Sequence, residues 1–289
     1  MTLRSIHTTT YSYSEPVSLC HNEVRVAPRS TSRQHLLRHD LQITPEPENL
    51  AHRKDYYGND VAFFTVIEPH KTLTITGTSV VELQPADAPL PHLSPTWEEV
   101  RDHVRLHRNP ESLDAFQFLF ASDYVKPSPA FAAFAEPSFP ARRPILEGVI
   151  DLSRRIHTGF KYSPHATTIA TPAAEVLEAR RGVCQDFSHV MIAALRSLAL
   201  PARYVSGYLR SNPKVVGAEV SHAWVSAYCP GFGWFDIDPT NNVVPAEGHL
   251  TVAWGRDYGD VTPARGVALG GGEHTIKVTV KVLPEISAA

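Results

Sequence analysis

One helical period followed closely by two strand periods sets the frame for this chain. From Cys184 the residues Phe187, Val190, Met191, Ala194, Leu195 and Leu198 recur at helical spacing until Pro201, and Gly182 loosens the chain just before them. The spacing predicts a core-packed helix with a thiol in its first turn. Free N–H groups and the positive end of the helix dipole gather there, so the position favours thiolate over thiol. Next, Ala218 to Tyr228 alternates as a strand with His222, Trp224, Ser226 and Tyr228 on one face. A Cys-Pro-Gly-Phe-Gly turn leads into a second short strand, Trp234 to Asp238, with Trp234, Asp236 and Asp238 on one face. A hairpin centred on Pro230 sets His222 directly opposite Asp238. Cys184, His222 and Asp238 thereby become candidates for nucleophile, base and orienting acid.

Each sharp reading has a plain competitor. A cysteine beside an apolar stripe is ordinarily a small core residue, and Cys20 and Cys229, which have no evident partners in the pattern, read that way. Cys184 differs because a core cysteine does not need a His and an Asp at facing positions. His189 lies about 140° round the helix from Cys184 and reads as structural. Gln185 and Asp186 occupy the first turn, where such residues cap the helix and complement its dipole. The Cys184 N–H is the expected oxyanion donor, with the Tyr162 hydroxyl as a weaker second. Asp236 shares the face of Asp238 and is the alternative orienting acid.

Four segments, in order, carry a resemblance: Gly-Val-Cys-Gln-Asp-Phe-Ser (182–188), Leu-Pro-Ala-Arg-Tyr-Val-Ser-Gly-Tyr (200–208), Ser-His-Ala-Trp-Val (221–225) and Gly-Trp-Phe-Asp-Ile-Asp-Pro-Thr-Asn (233–241). Together they resemble the core motifs of the transglutaminase-like superfamily. The resemblance implies a papain-like core with Cys184 as nucleophile, His222 as base and Asp238 as orienting acid. It leaves the reaction open, because the superfamily includes acyl-transfer enzymes, peptidases, deglycosylating amidases and members that have lost catalysis.

The expected class is α+β. Residues 1–84 read as a small β-sandwich-like domain with strands at Leu3–Tyr13, Val17–Val26, Gln34–Ile43, Val61–Ile67 and Leu73–Leu83. This stretch also resembles the N-terminal β domain of bacterial transglutaminase-like proteins, through Tyr57-Gly58-Asn59 and the strand after it. Residues 85–95, with four prolines, read as a linker, and 96–289 as the catalytic core with a C-terminal strand. Within that core, helices are expected from Thr96 to about His107, Leu113 to Tyr124, Ile145 to Phe160, and from an N-cap at Thr171 to Arg180. The five prolines of 126–144 suggest a surface loop with a short helical turn at Phe131. Val252 to Asp260 reads as strand and loop. His274 to Val282 alternates as a final edge strand with Ile276, Val278, Val280 and Val282 inward.

A chain of 289 residues with 43% hydrophobic and 20% charged residues can bury one large or two modest cores. Its net charge of −3 supplies no basic field, so neither nucleic acid nor an anionic membrane is an expected partner. Met1 to His7 lacks the apolar run of a signal peptide and no stretch approaches the ~20 apolar residues of a membrane span, so a cytoplasmic location is expected. Three cysteines are too few for a disulfide framework, which fits a reducing compartment. Zinc-ligand spacings and nucleotide-binding glycine loops are absent, and no cofactor or metal is expected. The expected function is a thiol-dependent hydrolase of amide or peptide bonds acting through a thioester, with a peptide or protein amide as substrate. Amine transfer to protein glutamine and non-catalytic peptide binding in an interdomain cleft are the alternatives. Trp224, Trp234 and Tyr228 could line an amine tunnel, a subsite or simply the core. Oligomeric state is left open.

Overall fold

The structure, a computed structural model, describes residues 1–85, 90–106, 109–211, 216–246 and 248–285. Residues 86–89 of the expected linker and His107 of the expected first helix lie outside the described residues. The chain opens with a long strand β1 (Thr2–Val24), then β2 (Gln34–Thr44), β3 (Asn49–Lys54), β4 (Asp60–Val66) and β5 (His70–Leu83). The two strands expected over 3–26 are this one strand, whose pairing shifts register between Ser12 and Val17. Its first half runs between β5 and the C-terminal strand, and its second half pairs with β4.

Helices follow: α1 (Trp97–Leu106), α2 (Pro110–Phe116), α3 (Pro129–Ala135) and α4 (Ile145–Gly159). Thr96 caps α1 as its pattern predicts, its N–H and hydroxyl both reaching Glu99 Oε2 at 2.8 Å. α2 is shorter than expected, and α3 stands where a helical turn at Phe131 is expected within the loop, extended because Pro129 begins the helix where its missing N–H costs nothing. Then come β6 (Lys161–Tyr162), α5 (Ala173–Ala179), β7 (Arg181–Gly182) and α6 (Cys184–Ser197). Pro172, not Thr171, is the N-cap of α5.

The half that follows α6 is completed by β8 (Ala202–Leu209), β9 (His222–Cys229), β10 (Gly233–Ile237) and β11 (His249–Gly255), an antiparallel sheet in the order β10-β9-β8-β11. One face carries Ala223, Val225, Ala227 and Cys229, which share a core with Val190, Met191, Ala194 and Leu195 of α6. That core also includes Leu3, Val81, Val280 and Val282. A short helix α7 (Tyr258–Val261) precedes β12 (Ala264–Gly270) and β13 (His274–Pro284), which both pair with β1. The C-terminal strand, expected inside the 96–289 unit, thus runs at the edge of the N-terminal sheet. Its inward alternation holds at Val280 and Val282, while Ile276 is exposed.

β11 is the outer strand of this four-stranded sheet, and two side-chain amides cover its open backbone. Gln34 donates to Thr251 O at 2.8 Å and accepts from Thr251 N at 2.9 Å. Asn59 does the same for Trp254, donating to its carbonyl at 2.9 Å and accepting from its N–H at 3.0 Å. Each amide stands in for a strand residue, which closes an edge that would otherwise template pairing and fixes the N-terminal loops against this sheet.

Candidate active site

Cys184 is the first residue of α6 and is partly exposed. The parallel pairing of β6 with β7 brings Tyr162 alongside Gly182, two residues before the thiol. Asp186 caps this turn: Oδ2 accepts the Val183 N–H at 2.8 Å and the Thr167 hydroxyl at 2.7 Å, while burial raises the carboxyl's pKa. Gly182 packs against that carboxylate so closely that a Cβ would fall 2.5 Å from Oδ2. Gln185 plays no part in the cap and extends toward Ile169 O at 3.4 Å. The Tyr162 hydroxyl is pushed up to about 12 by burial, with the charges of Cys184 and Asp186 adding to it.

His222 begins β9 and is 1% exposed. Its Nε2 lies 2.9 Å from Asp238 Oδ2. Nδ1 meets no hydrogen-bond partner among the described residues, and Cys184 acts on the ring through its charge. Gly217 closes the ring's other side: its φ is +86°, and a Cβ there would sit 2.6 Å from Nδ1. Burial works against a charge on His222, but Cys184 and Asp238 outweigh it and raise its pKa to about 10.

Asp238 is fully buried yet saturated with donors. Oδ1 accepts the backbone N–H groups of Thr240 at 2.9 Å and Asn241 at 3.1 Å. Oδ2 accepts Asn241 Nδ2 at 2.9 Å and faces His249 Nε2 at 3.3 Å, besides His222. Burial pushes the carboxyl up, but the two imidazoles overcome it and hold Asp238 well below the usual carboxylate range. The turn is anchored in turn by His157, whose Nδ1 lies 2.8 Å from Thr240 O. The sequence reading missed His249, Asn241 and His157. Asn241 closes one of the quoted motifs, whereas His249 lies just before the strand expected to begin at Val252.

The hairpin departs from its expected register. Trp234 pairs with Tyr228 and Asp236 with Ser226, so the turn centres on Gly231 and not on Pro230. His222 therefore reaches Asp238 diagonally. Trp224 makes the same step to Asp236, its indole N–H lying 3.3 Å from Oδ2. Asp236 is thus occupied with an indole and makes no hydrogen bond to His222 among the described residues. His189 is buried as a structural residue: it accepts the Tyr258 N–H at 3.2 Å, stacks on Tyr124, and burial holds it down to about 4. Cys229 is buried, and burial pushes its thiol up to about 12. Cys20 is buried too, but it has neighbours that the sequence did not suggest, with Asn22 Nδ2 at 3.2 Å and His70 Nε2 at 4.0 Å. No group of three or more His, Cys, Asp or Glu residues among those described could hold a metal ion.

A helix-start cysteine facing a strand histidine, with a carboxylate behind the ring, is the arrangement of a cysteine-centred papain-like core. Residues 133–239 match the transglutaminase-like superfamily and residues 3–82 match the bacterial transglutaminase-like N-terminal region. An uncharacterized protein of Mycobacterium tuberculosis is 39% identical over 97% of this chain and 92% of its own length. Another, from Mycobacterium leprae, is 34% identical over 97% of this chain and 98% of its own. A crystal structure from Cytophaga hutchinsonii, described as that of a candidate cysteine protease, superposes with a TM-score of 0.77 at 25% identity, over 98% of this chain and 90% of the other. The chain belongs to the transglutaminase-like superfamily, in the form that carries the bacterial N-terminal β region.

Proposed function

We propose that the protein is a thiol-dependent hydrolase of amide or peptide bonds, with Cys184 as nucleophile, His222 as base and then acid, and Asp238 as the residue that orients the ring. The observation that carries this reading is the buried imidazole between a sulfur and a carboxylate, raised to about 10 by those two groups. At neutral pH such a ring holds a proton beside the sulfur, placed to be passed to a leaving group. The thiolate attacks the substrate carbonyl carbon, and the oxyanion lies at the start of α6, where the Cys184 N–H is free of intrahelical partners. His222 gives its proton to the departing nitrogen as the C–N bond breaks, leaving a thioester on Cys184. Water, deprotonated by His222, then attacks the thioester and releases the acid with the thiol restored.

Partial exposure of Cys184 favours water over an amine as the second nucleophile, since amine transfer needs a site that excludes solvent. The test is incubation with a glutamine- and amide-rich peptide library and a labelled primary amine, read by mass. Cys184-dependent cleavage or deamidation is expected. Amine incorporation without either would overturn hydrolysis, and the absence of any Cys184-dependent product would leave peptide binding as the function.

A further inference from the structure

Arg196 and Arg203 are both buried, at 3% and 7% exposure, and they are treated differently by the fold. The Arg196 guanidinium is satisfied by the carbonyls of Ala202, Phe120 and Arg256. Arg203 has no hydrogen bond or ion pair among the described residues, and its Nε is sealed from solvent without a partner. Its guanidinium carbon lies 4.2 Å from the centre of the Trp234 ring and 3.8 Å from that of Trp254. Arg29 stacks on Trp254 at 3.6 Å, which must be the opposite face of that ring, since two guanidinium groups cannot share one face at such distances. The rings cover the flat faces of Arg203 and leave its edge, where the donors are.

That edge borders a cleft of about 860 Å³ between the N-terminal loops at Thr31–Gln34 and the open face of the catalytic sheet. Trp224, Trp234 and Trp254 give it apolar walls, and Asp236 and His249 complete the floor. A buried guanidinium with unused donors, facing a cavity of ligand size, is built to receive a planar anion. Asp236 restricts the choice, because its negative charge offsets one of the two arginines that line the cleft, the buried Arg203 and the exposed Arg33, and leaves a single net positive charge for the ligand. A monoanionic carboxylate fits.

We propose that this cleft is a carboxylate-binding site in which Arg203 receives the free C-terminal carboxylate of a peptide and the partly exposed Trp234 and Trp254 pack against its last side chains. The choice of a peptide rests on the amide-bond reading above; the anion site does not. Because His249 lines the cleft and also contacts Asp238, an occupant lies one residue away from the triad carboxylate.

The test is calorimetric titration of the full chain carrying Cys184→Ala, in which no acyl transfer occurs, so the outcome is independent of the hydrolase reading. The probes are N-acetyl-trialanine as the free acid, the same peptide as its C-terminal amide, and inorganic phosphate. The free acid is expected to bind roughly tenfold or more tighter than the amide, a difference of about 1.4 kcal/mol or more. Adding Arg203→Met, which keeps the stem between the rings but removes the donors, should abolish that preference. Equal affinity for acid and amide, no saturable binding of the acid, or an acid preference that survives Arg203→Met would each overturn the proposal. Tighter binding of phosphate than of the free acid would overturn the carboxylate assignment. The acid-against-amide comparison stands even if Arg203→Met fails to fold.

Discussion

His222 meets Asp238 along a diagonal of the β9–β10 hairpin, with Nε2 and Oδ2 2.9 Å apart although the strand register sets Trp224 opposite position 238. Diagonal neighbours in an antiparallel pair are about 7–8 Å apart at the backbone, a span that an imidazole and a carboxylate bridge between them. The neighbouring pair Trp224–Asp236 uses the same diagonal, so the two carboxylates serve two different rings.

The division predicts unequal effects of two similar substitutions. Asp238→Asn replaces an acceptor by an amide and frees the ring to take the wrong tautomer, for which a loss of roughly 10³–10⁴-fold in kcat is expected. Asp236→Asn keeps a carbonyl oxygen that can accept the Trp224 indole N–H and should cost less than about tenfold. Steady-state kinetics on a peptide amide decide the matter, and the reverse ranking would hand the orienting role to Asp236.

His249 is a positioning residue in this scheme, since it touches Asp238 and not the reacting atoms. A hydrogen bond to a charged group contributes about 1.5–3 kcal/mol, so His249→Phe should lower kcat roughly tenfold to a hundredfold. His249→Gln, which keeps an N–H donor, should recover part of that loss. A structural role alone would leave the titration of His222 unmoved; the expected result in His249→Phe is an NMR-detected shift of its midpoint away from the wild-type value near 10.

Thiol reactivity should follow exposure and surroundings. Cys20 and Cys229 are 1% and 0% exposed, and burial raises the pKa of both thiols. Cys184 is partly exposed at a helix start and interacts electrostatically with the His222 ring. A substoichiometric alkylator near neutral pH should therefore modify Cys184 first, as read by peptide mass mapping. Equal modification of all three would rule out an activated thiol at Cys184.

Much of the site could be read from the sequence because face membership survives errors of register. Moving the hairpin centre from Pro230 to Gly231 shifts every cross-strand pair by two, which keeps His222, Trp224, Asp236 and Asp238 on one face. The later centre is allowed by Gly231 and Gly233, with φ of +79° and +78°. α6 was legible because its apolar spacing is uninterrupted. β3 was not, since all six of its residues are exposed and its sequence carries no alternation. The pairing of β13 with β1 joins the two ends of the chain, and no local signal encodes a partner so distant. His249 escaped for the same reason: it reaches Asp238 from β11, across β8, and only the glycine at Gly207 leaves room for the intervening Trp224 ring, whose edge would lie 2.4 Å from a Cβ there.

Stability should fall on both sides of neutrality, for opposite reasons. His7 and His189 are buried, and burial holds both near 4 against an ordinary value of 6.5. Between those values the unfolded chain binds protons that the folded chain refuses, so acidification from 6.5 toward 4 favours unfolding. The loss approaches roughly 3 kcal/mol per imidazole at the acid end. His222 has the opposite sign: with its folded value raised to about 10, its contribution is fully present below 6.5 and is lost as pH rises through 10. Thermal melts between pH 4 and pH 10 should show Tm falling steadily below 6.5 and again in the alkaline range. His7→Gln removes one of the acid-side groups and should reduce the acid-side slope. Cys184→Ala removes the sulfur that helps to raise His222 and should shrink the alkaline decline while leaving the acid side alone. A Tm that stays level from 6.5 to 4 would mean that the buried imidazoles find protons or solvent in the folded state, contrary to their burial.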